Sequence, residues 1–252
     1  MVSVGEAYLA AKKKLDGRYC ALTFDDGLKE HYNFVFPILR KYEIQGAFFL
    51  IGQTLKEDRI SLTHKLHVLL SHLSSKSIRD AFHQFFGGKY HIDNKTRINP
   101  RRRFDDVLTS NLKESLIALP LEERSKFIDH LFNIYHDEKD LLFSIFMNPE
   151  EAKIMSQAGM SINPHGYSHL SLETLDLSSQ KKEIEESIKV IEDITGQPSH
   201  MFSPPHGRST PDTLNILREN EIQYATTIRA GDLTTAEDPL LLPQFDTNHI
   251  AL

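Results

Sequence analysis

Two adjacent carboxylates, Asp25 and Asp26, end an apolar run at residues 19–24 and are followed by Gly27. A continuous apolar run of this length predicts a buried strand of a parallel sheet, which is covered on both faces. Two neighbouring acids raise one another's pKa unless a positive charge compensates, and a bound divalent cation would do so. The same residues also fit a strand followed by a polar turn, so this stretch alone leaves both interpretations open.

Two histidines, His165 and His169, lie four positions apart after a short apolar run at residues 159–162. If the chain is helical there, their imidazoles share one face. Imidazole is the commonest metal-ligating side chain. Together with one carboxylate, the pair would form a metal site with open positions for water or substrate. Because the chain contains 13 histidines, a pair at this spacing also arises by chance.

In this order, and with a Pro-Pro turn at residues 203–207, these stretches resemble the motifs of the polysaccharide deacetylases, the NodB-homology domain of carbohydrate esterase family four. The family's first motif, Thr-Phe-Asp-Asp-Gly, is matched at all five positions by residues 23–27. The second, His-Ser/Thr-x-x-His, is matched at both histidines, with Gly166 at the hydroxyl position. The resemblance covers roughly residues 19–54 and 147–245.

The third motif of the family, Arg-Pro-Pro-Tyr-Gly or a close variant, is matched by Pro204, Pro205 and Gly207. Ser203 stands at the arginine position and His206 at the tyrosine position. The resemblance implies that this turn contacts the substrate. It also places the backbone N–H of His206 as an oxyanion donor.

The resemblance implies that Asp26, His165 and His169 ligate a divalent cation, most simply Zn²⁺ given the two imidazoles. Asp25 then becomes the general base that takes a proton from the metal-bound water. His206 is a candidate for the general acid.

Two functions of the family have no matching residue in the motifs of this chain. In the family, the motif-three arginine steers the catalytic aspartate, and Arg208 and Arg229 are candidates to replace it. The general acid of the family is a late histidine, and the late histidine of this chain, His249, has flanks that fit poorly.

Strand and helix patterns alternate through much of the chain. A strand at residues 19–24, a helix at 31–43 with Phe34, Val35, Ile38 and Leu39 inward, and a strand at 46–52 predict a βαβ unit. The pattern predicts an α/β barrel, and the resemblance adds that it is a distorted (β/α) barrel of about seven strands.

One domain spanning residues 1–252 is predicted, with a helical insertion at about 55–146. The insertion follows a helical period of leucines and phenylalanines. Two hypotheses remain open for it: it covers the active site and restricts the substrate, or it is an appendage for stability or dimerisation.

Composition excludes several other classes. The net charge of −6 argues against a nucleic-acid partner. No apolar run approaches the length of a membrane span, and no secretory signal is recognised, so a cytoplasmic location is expected. The single cysteine, Cys20, is expected to be buried and excludes an intrachain disulfide. A homo-oligomer is compatible with these features.

The predicted function is metal-dependent hydrolysis of an N-acetyl group on a sugar or glycan intermediate, in the context of surface-polysaccharide biosynthesis. Two alternatives remain open. One is a related amidohydrolase that acts on a small cytosolic substrate. The other is a catalytically inactive barrel that binds a glycan or a protein partner.

Overall fold

The computed structural model describes residues 1–100, 102–235 and 237–247. The chain divides into two compact units, one formed by residues 1–59 and 141–252 and the other by residues 60–140. The prediction of a single domain with an insertion at about 55–146 stays a prediction. Each unit is described separately below.

The first unit is built on parallel strands. Among the described residues five strands form, and they are β1 Leu22–Phe24, β2 Gly46–Leu50, β3 Ser161–Pro164, β4 Met201–Phe202 and β5 Tyr224–Ala225. One sheet has the order β1-β2-β3 and the other pairs β4 with β5. A backbone hydrogen bond from Ser203 N to Pro164 O (3.2 Å) links the two sheets. The α/β class is confirmed, whereas the barrel of about seven strands stays a prediction.

Eleven α-helices occur among the described residues. They are α1 Val4–Lys12, α2 Phe36–Lys41, α3 Gly52–Lys56, α4 Leu62–His72, α5 Ser75–Phe85, α6 Val107–Ala118, α7 Leu121–Tyr135, α8 Glu138–Ile145, α9 Pro149–Gln157, α10 Leu177–Thr195 and α11 Pro211–Glu219. Within the described part of the chain, none of them combines the length and the apolar character that crossing a membrane requires.

Both faces of β2 are buried, as the apolar run predicted. Successive side chains of a strand point to opposite faces. Phe48 and Leu50 accordingly pack into one core cluster with α2, α9 and α10. Ala47 and Phe49 pack into a second cluster, which includes Val4 of α1. Both faces of β2 therefore lie within apolar clusters.

The helix predicted at residues 31–43 forms with a partly different buried face. Leu39 is buried and Val35 packs against the core, as predicted, whereas Phe34 and Ile38 are exposed and Phe36 is buried in addition. The reason is a π-helical turn at His31–Val35 that precedes α2. A π turn inserts one extra residue per turn and therefore rotates the following residues relative to an α-helical pattern. The expected inner face was wrong for Phe34 and Ile38 on this account.

Cys20 is exposed, and the prediction that it is buried was wrong. The strand begins at Leu22 rather than at residue 19, so Cys20 lies in the segment before the sheet. Its backbone carbonyl accepts a hydrogen bond from Val2 N, but no strand covers the side chain.

The second unit contains helices and, among its described residues, no strand. The leucine and phenylalanine periods correspond to α4, α6 and α7, whose apolar side chains Leu69, Leu112 and Phe127 are buried. Lys65 is also buried, and its ammonium donates to the carboxylates of Asp129 (2.7 Å) and Glu138 (2.9 Å). Since an unpaired buried charge is costly, these two acids allow the lysine to remain inside the unit.

Candidate active site

The turn after β1 places the two adjacent aspartates. Asp26 and Gly27 both have positive φ, 74° and 70°, so the chain reverses directly after Asp25. A Cβ on Gly27 would lie 2.9 Å from Leu50 Cγ, and glycine is therefore required at this position. The Gly27 carbonyl accepts a hydrogen bond from Met147 N (2.9 Å), which anchors the turn.

The histidine pair lies on a loop after β3 and not on a helix. The two imidazoles therefore come together through the path of the loop and not on one face of a helix. Gly166 and His169 have positive φ, 73° and 62°. These two left-handed residues fold the loop back on itself, and the two ring centroids come within 5.0 Å of each other. His165 is held at its backbone by a hydrogen bond to Leu50 O (2.8 Å).

Both imidazoles face the same carboxylate oxygen. Asp26 Oδ1 lies 3.1 Å from His169 Nε2 and 3.5 Å from His165 Nε2. Both histidines are buried, whereas Asp26 is partly exposed. The structure therefore brings together the three residues that the sequence predicted as metal ligands, although Asp26 and His165 are 139 positions apart.

The tautomer of His165 follows from its second ring nitrogen. Its Nδ1 lies 2.6 Å from the backbone carbonyl of Ser203, which only accepts, so Nδ1 carries a proton. In the neutral ring, Nε2 then presents a lone pair toward Asp26. Burial lowers the pKa of His165, but Asp25, Asp26 and the Ser203 carbonyl outweigh burial and raise the pKa to about 9.

These residues fit a divalent cation. Two imidazole nitrogens and one carboxylate oxygen converge, and this donor set is typical of zinc sites that keep open positions. A carbonyl partner on the far nitrogen of a ligating histidine is also typical, because it orients the ring. The concentrated negative charge that raises the His165 pKa in the metal-free chain would equally attract a cation.

Asp25 is held by a short chain of hydroxyls. Thr226 Oγ1 donates to Ser203 Oγ (3.0 Å), which in turn donates to Asp25 Oδ2 (3.4 Å). Desolvation raises the pKa of Asp25, while nearby His165 and the Ser203 hydroxyl act in the opposite direction. Ser203 therefore contacts both Asp25 and His165. Its place at the arginine position of the third motif did not predict this double role.

Neither arginine proposed as a substitute contacts Asp25 in the structure. Arg208 pairs with Glu173 and Arg229 pairs with Glu237, and both guanidinium groups are exposed. That expectation was wrong because each arginine finds a nearby acid outside the site. The neutral hydroxyl of Ser203 orients Asp25 instead.

Glu183 of α10 holds the histidine loop, and sequence reasoning missed it. Its Oε2 accepts from the backbone N–H groups of Tyr167 (3.1 Å) and Ser168 (2.9 Å), and its Oε1 accepts from Ser168 Oγ (2.5 Å). Burial raises the pKa of Glu183, and these donors act in the opposite direction. No local pattern marks Glu183, because its partners lie 15 and 16 positions earlier in the chain.

We expect Glu183→Gln to weaken Zn²⁺ binding by roughly tenfold, because hydrogen bonds to a carboxylate are stronger than those to an amide and partners outside the ligand set affect affinity this strongly. Competition with a zinc-chelating dye measures the change. Glu185→Gln is the matched control, since Glu185 lies on the same helix, is exposed and pairs with Lys181. Equal zinc affinity in both variants would contradict the role of Glu183.

The Pro-Pro turn lies beside the histidine pair. His206 has φ 60°, and its ring centroid is 4.8 Å from that of His169. Pro204 and Pro205 are buried, and Pro205 packs against Gly166. Substrate contacts of Pro204, Pro205 and Gly207 stay predictions. His249, the other histidine considered as the general acid, lies outside the described residues.

Gly207 is required by packing. Its φ is 62°, and a Cβ there would lie 2.3 Å from Ile228 Cγ2 and 2.6 Å from Ile228 N. We expect Gly207→Ala to destabilise the protein by about 2–4 kcal/mol, from left-handed backbone strain together with the clash. Gly196→Ala separates the two causes, because Gly196 has φ 67° and open space around it. Thermal unfolding should show a larger loss for Gly207→Ala, and equal losses would exclude the clash.

The comparisons with known proteins agree with this arrangement. The family model described as polysaccharide deacetylase matches residues 12–96 and 104–225. The protein YxkH of Bacillus subtilis (strain 168), whose name refers to the same family, is 21% identical over 223 residues. That alignment covers 88% of this chain and 49% of YxkH, so the chain spans about half the length of this curated relative.

Solved structures show a similar fold. The deacetylase PplD of Streptococcus pyogenes, solved in complex with acetate, aligns with a TM-score of 0.58 and 18% identity over 96% of this chain and 71% of its own. IcaB of Ammonifex degensii aligns with a TM-score of 0.56 and 16% identity, covering 98% of this chain and 77% of its own. At these identities the likeness shows the fold alone.

Proposed function

This chain belongs to the polysaccharide deacetylase family, hydrolases that act on amide C–N bonds, and from that premise we propose that it is a metal-dependent N-deacetylase acting on a sugar. The observation that carries the proposal is the convergence of two imidazoles on one Asp26 oxygen, with the Asp25 carboxylate next in the chain. A fold alone does not require this set of residues, whereas amide hydrolysis uses each of them.

Asp26, His165 and His169 would hold the cation, with Zn²⁺ the best match for two nitrogen donors. A divalent cation bound there supplies a water of lowered pKa and polarises the acetyl carbonyl. The proton on Nδ1 of His165, held by the Ser203 carbonyl, keeps its Nε2 directed toward the ligand position.

Asp25 would take the proton of the attacking water at its carboxylate. A general base works best when its pKa approaches the working pH, and the raised pKa of Asp25 supports this role. The Ser203 hydroxyl orients the carboxylate through Oδ2 and leaves Oδ1 for the incoming proton.

His206 would give a proton to the departing amine, since its ring lies against His169 and imidazole titrates near neutral pH. In the proposal, its backbone N–H stabilises the developing oxyanion. Pro204, Pro205 and Gly207 hold this turn in place and would form part of the substrate surface.

The proposed substrate is an N-acetylated sugar or glycan intermediate. Because the chain spans about half of its curated relative, the substrate and the activity of the whole protein are part of the proposal. A role in surface-polysaccharide biosynthesis, a cytoplasmic location and a homo-oligomer stay predictions.

Acetate release from a panel of N-acetylated mono-, di- and oligosaccharides tests the proposal, measured with zinc, after chelation and after zinc is restored. Acetate released in a zinc-dependent manner supports it. Bound zinc without acetate release across the panel would contradict it and favour a catalytically inactive barrel that binds a glycan. Activity confined to the smallest substrates would favour the alternative of an amidohydrolase for small molecules.

A further inference from the structure

The first residues of the five strands surround a cavity of about 470 Å³. Leu22, Gly46, Ser161, Met201 and Tyr224 all line it. The residues of the proposed active site follow the last residues of β1, β3 and β4, at the carboxyl ends of the strands. The cavity therefore lies at the opposite, amino end of the sheets and is separate from the catalytic residues.

The cavity carries almost no charge. Among the described residues that line it, none is Asp, Glu, Lys or Arg, and His200 is the one histidine. No acidic or basic side chain of this lining would pair with a phosphate, carboxylate or ammonium group, whereas a neutral ligand needs no counter-charge. The lining therefore selects against nucleotides, sugar phosphates and acidic peptides.

Polar side chains that both donate and accept hydrogen bonds line the cavity. Gln197 and Gln223 lie exposed at the rim, and their side-chain amides form no hydrogen bond with other described residues. Each amide offers two donors and two acceptor positions. Such groups match hydroxyl and acetamido groups, which also donate and accept.

The inner part of the cavity contains a buried amide. Asn163 of β3 is 3% exposed, and its Nδ2 donates to Ser161 Oγ (3.0 Å). Its Oδ1 also accepts from the same hydroxyl (3.4 Å), so one N–H and one acceptor position of the amide are left over. A ligand that reached Asn163 would meet a donor and an acceptor there.

Apolar surface completes the lining. Met160, Ile162 and Met201 contribute aliphatic surface, and the ring of Tyr224 is fixed edge-on against Tyr8 at 5.5 Å. Small-molecule sites typically combine such surface with a few placed polar groups, in volumes of about 300–1,000 Å³. Sugars present both kinds of surface, since their ring C–H groups are apolar and their hydroxyls are polar.

We propose that this cavity binds a short neutral saccharide. The site goes beyond the deacetylase function, because the described residues that line it form no metal-ligating set and it lies at the other end of the strands. It does not require the bound sugar to be acetylated, and its occupancy is independent of turnover.

Cellobiose, a neutral disaccharide without an acetyl group, is the probe, and glucose 6-phosphate is the charged comparison. Calorimetric titration and saturation-transfer NMR should show binding of cellobiose and much weaker binding of the phosphate. Gln197→Ala combined with Gln223→Ala should weaken cellobiose binding by roughly tenfold, the expected effect of losing two neutral hydrogen bonds. Ser156→Trp, which places an indole in the cavity, should abolish it.

Gln157→Ala is the matched control, because Gln157 is an exposed glutamine beside Ser156 and does not line the cavity. Its cellobiose affinity should equal that of the unmodified protein. Absence of cellobiose binding to the unmodified protein would overturn the proposal. Full affinity retained by both the double variant and Ser156→Trp would also overturn it. Acetate release is assayed separately, so failure of the deacetylase function and failure of this site give different results.

Discussion

Asp25→Asn is expected to lower acetate release by about 10²- to 10⁴-fold while the zinc content stays unchanged. The substitution keeps the shape of the side chain and removes its basicity, and general-base catalysis contributes rate enhancements of this size. Zinc should remain because both imidazoles face Asp26 and not Asp25. Acetate assays together with atomic emission of the purified protein measure both quantities.

Asp26→Asn provides the matched comparison for this experiment. Asparagine keeps the size of the side chain but removes the charged oxygen that faces His165 and His169, so we expect zinc to be lost along with activity. Normal acetate release by Asp25→Asn would show that Asp25 is not the base. Loss of zinc in Asp25→Asn would instead show that the two aspartates share the ligand role.

His165→Ala is expected to abolish both zinc binding and turnover. Changes in groups outside the ligand set alone cost 10- to 100-fold in affinity, so removing a ligand should cost more than about 100-fold. The variant also removes the buried hydrogen bond to the Ser203 carbonyl, and Ser203 orients Asp25. Both effects act in the same direction on turnover.

Dye competition measures zinc affinity in His165→Ala, and circular dichroism checks that the fold is retained. His130→Ala is the control, because His130 is exposed and belongs to the helical unit, where its ring contacts Phe85. Folded His165→Ala protein that bound zinc as tightly as the unmodified chain would exclude His165 as a ligand. Addition of excess zinc should restore less activity to His165→Ala than to protein that was only chelated.

The local elements of the fold could largely be predicted from the sequence. Asn148, Pro149 and Glu151 have the residue types of a capped helix start, and the structure shows both hydrogen bonds of the capping box at α9. The buried run at residues 46–50 formed β2, and Gly196 ends α10 with φ 67°. These features depend on residues a few positions apart, so the residue types along the chain determine them.

The buried face of the helical segment at residues 31–41 could not be predicted in the same way. Periodicity assumes a constant number of residues per turn, and with one π turn at His31–Val35 the residue Phe36 is buried while Phe34 and Ile38 are exposed. Cys20 was misplaced for a related reason, since an apolar run does not show where pairing begins. Strand pairing starts at Leu22, where β2 becomes available as a partner.

For the candidate site, the sequence by itself determined the candidate residues, namely Asp25, Asp26, His165, His169 and His206, each of which follows a strand; their catalytic and ligand roles stay predictions. The tertiary structure alone decided how they are held. Ser203 orients Asp25 and His165 by hydrogen bonds, and Glu183 accepts hydrogen bonds from the histidine loop. The first residues of the five strands surround a second cavity. The physical reason is that hydrogen bonds and cavities depend on distances in space between residues far apart in the chain, which local residue patterns do not contain.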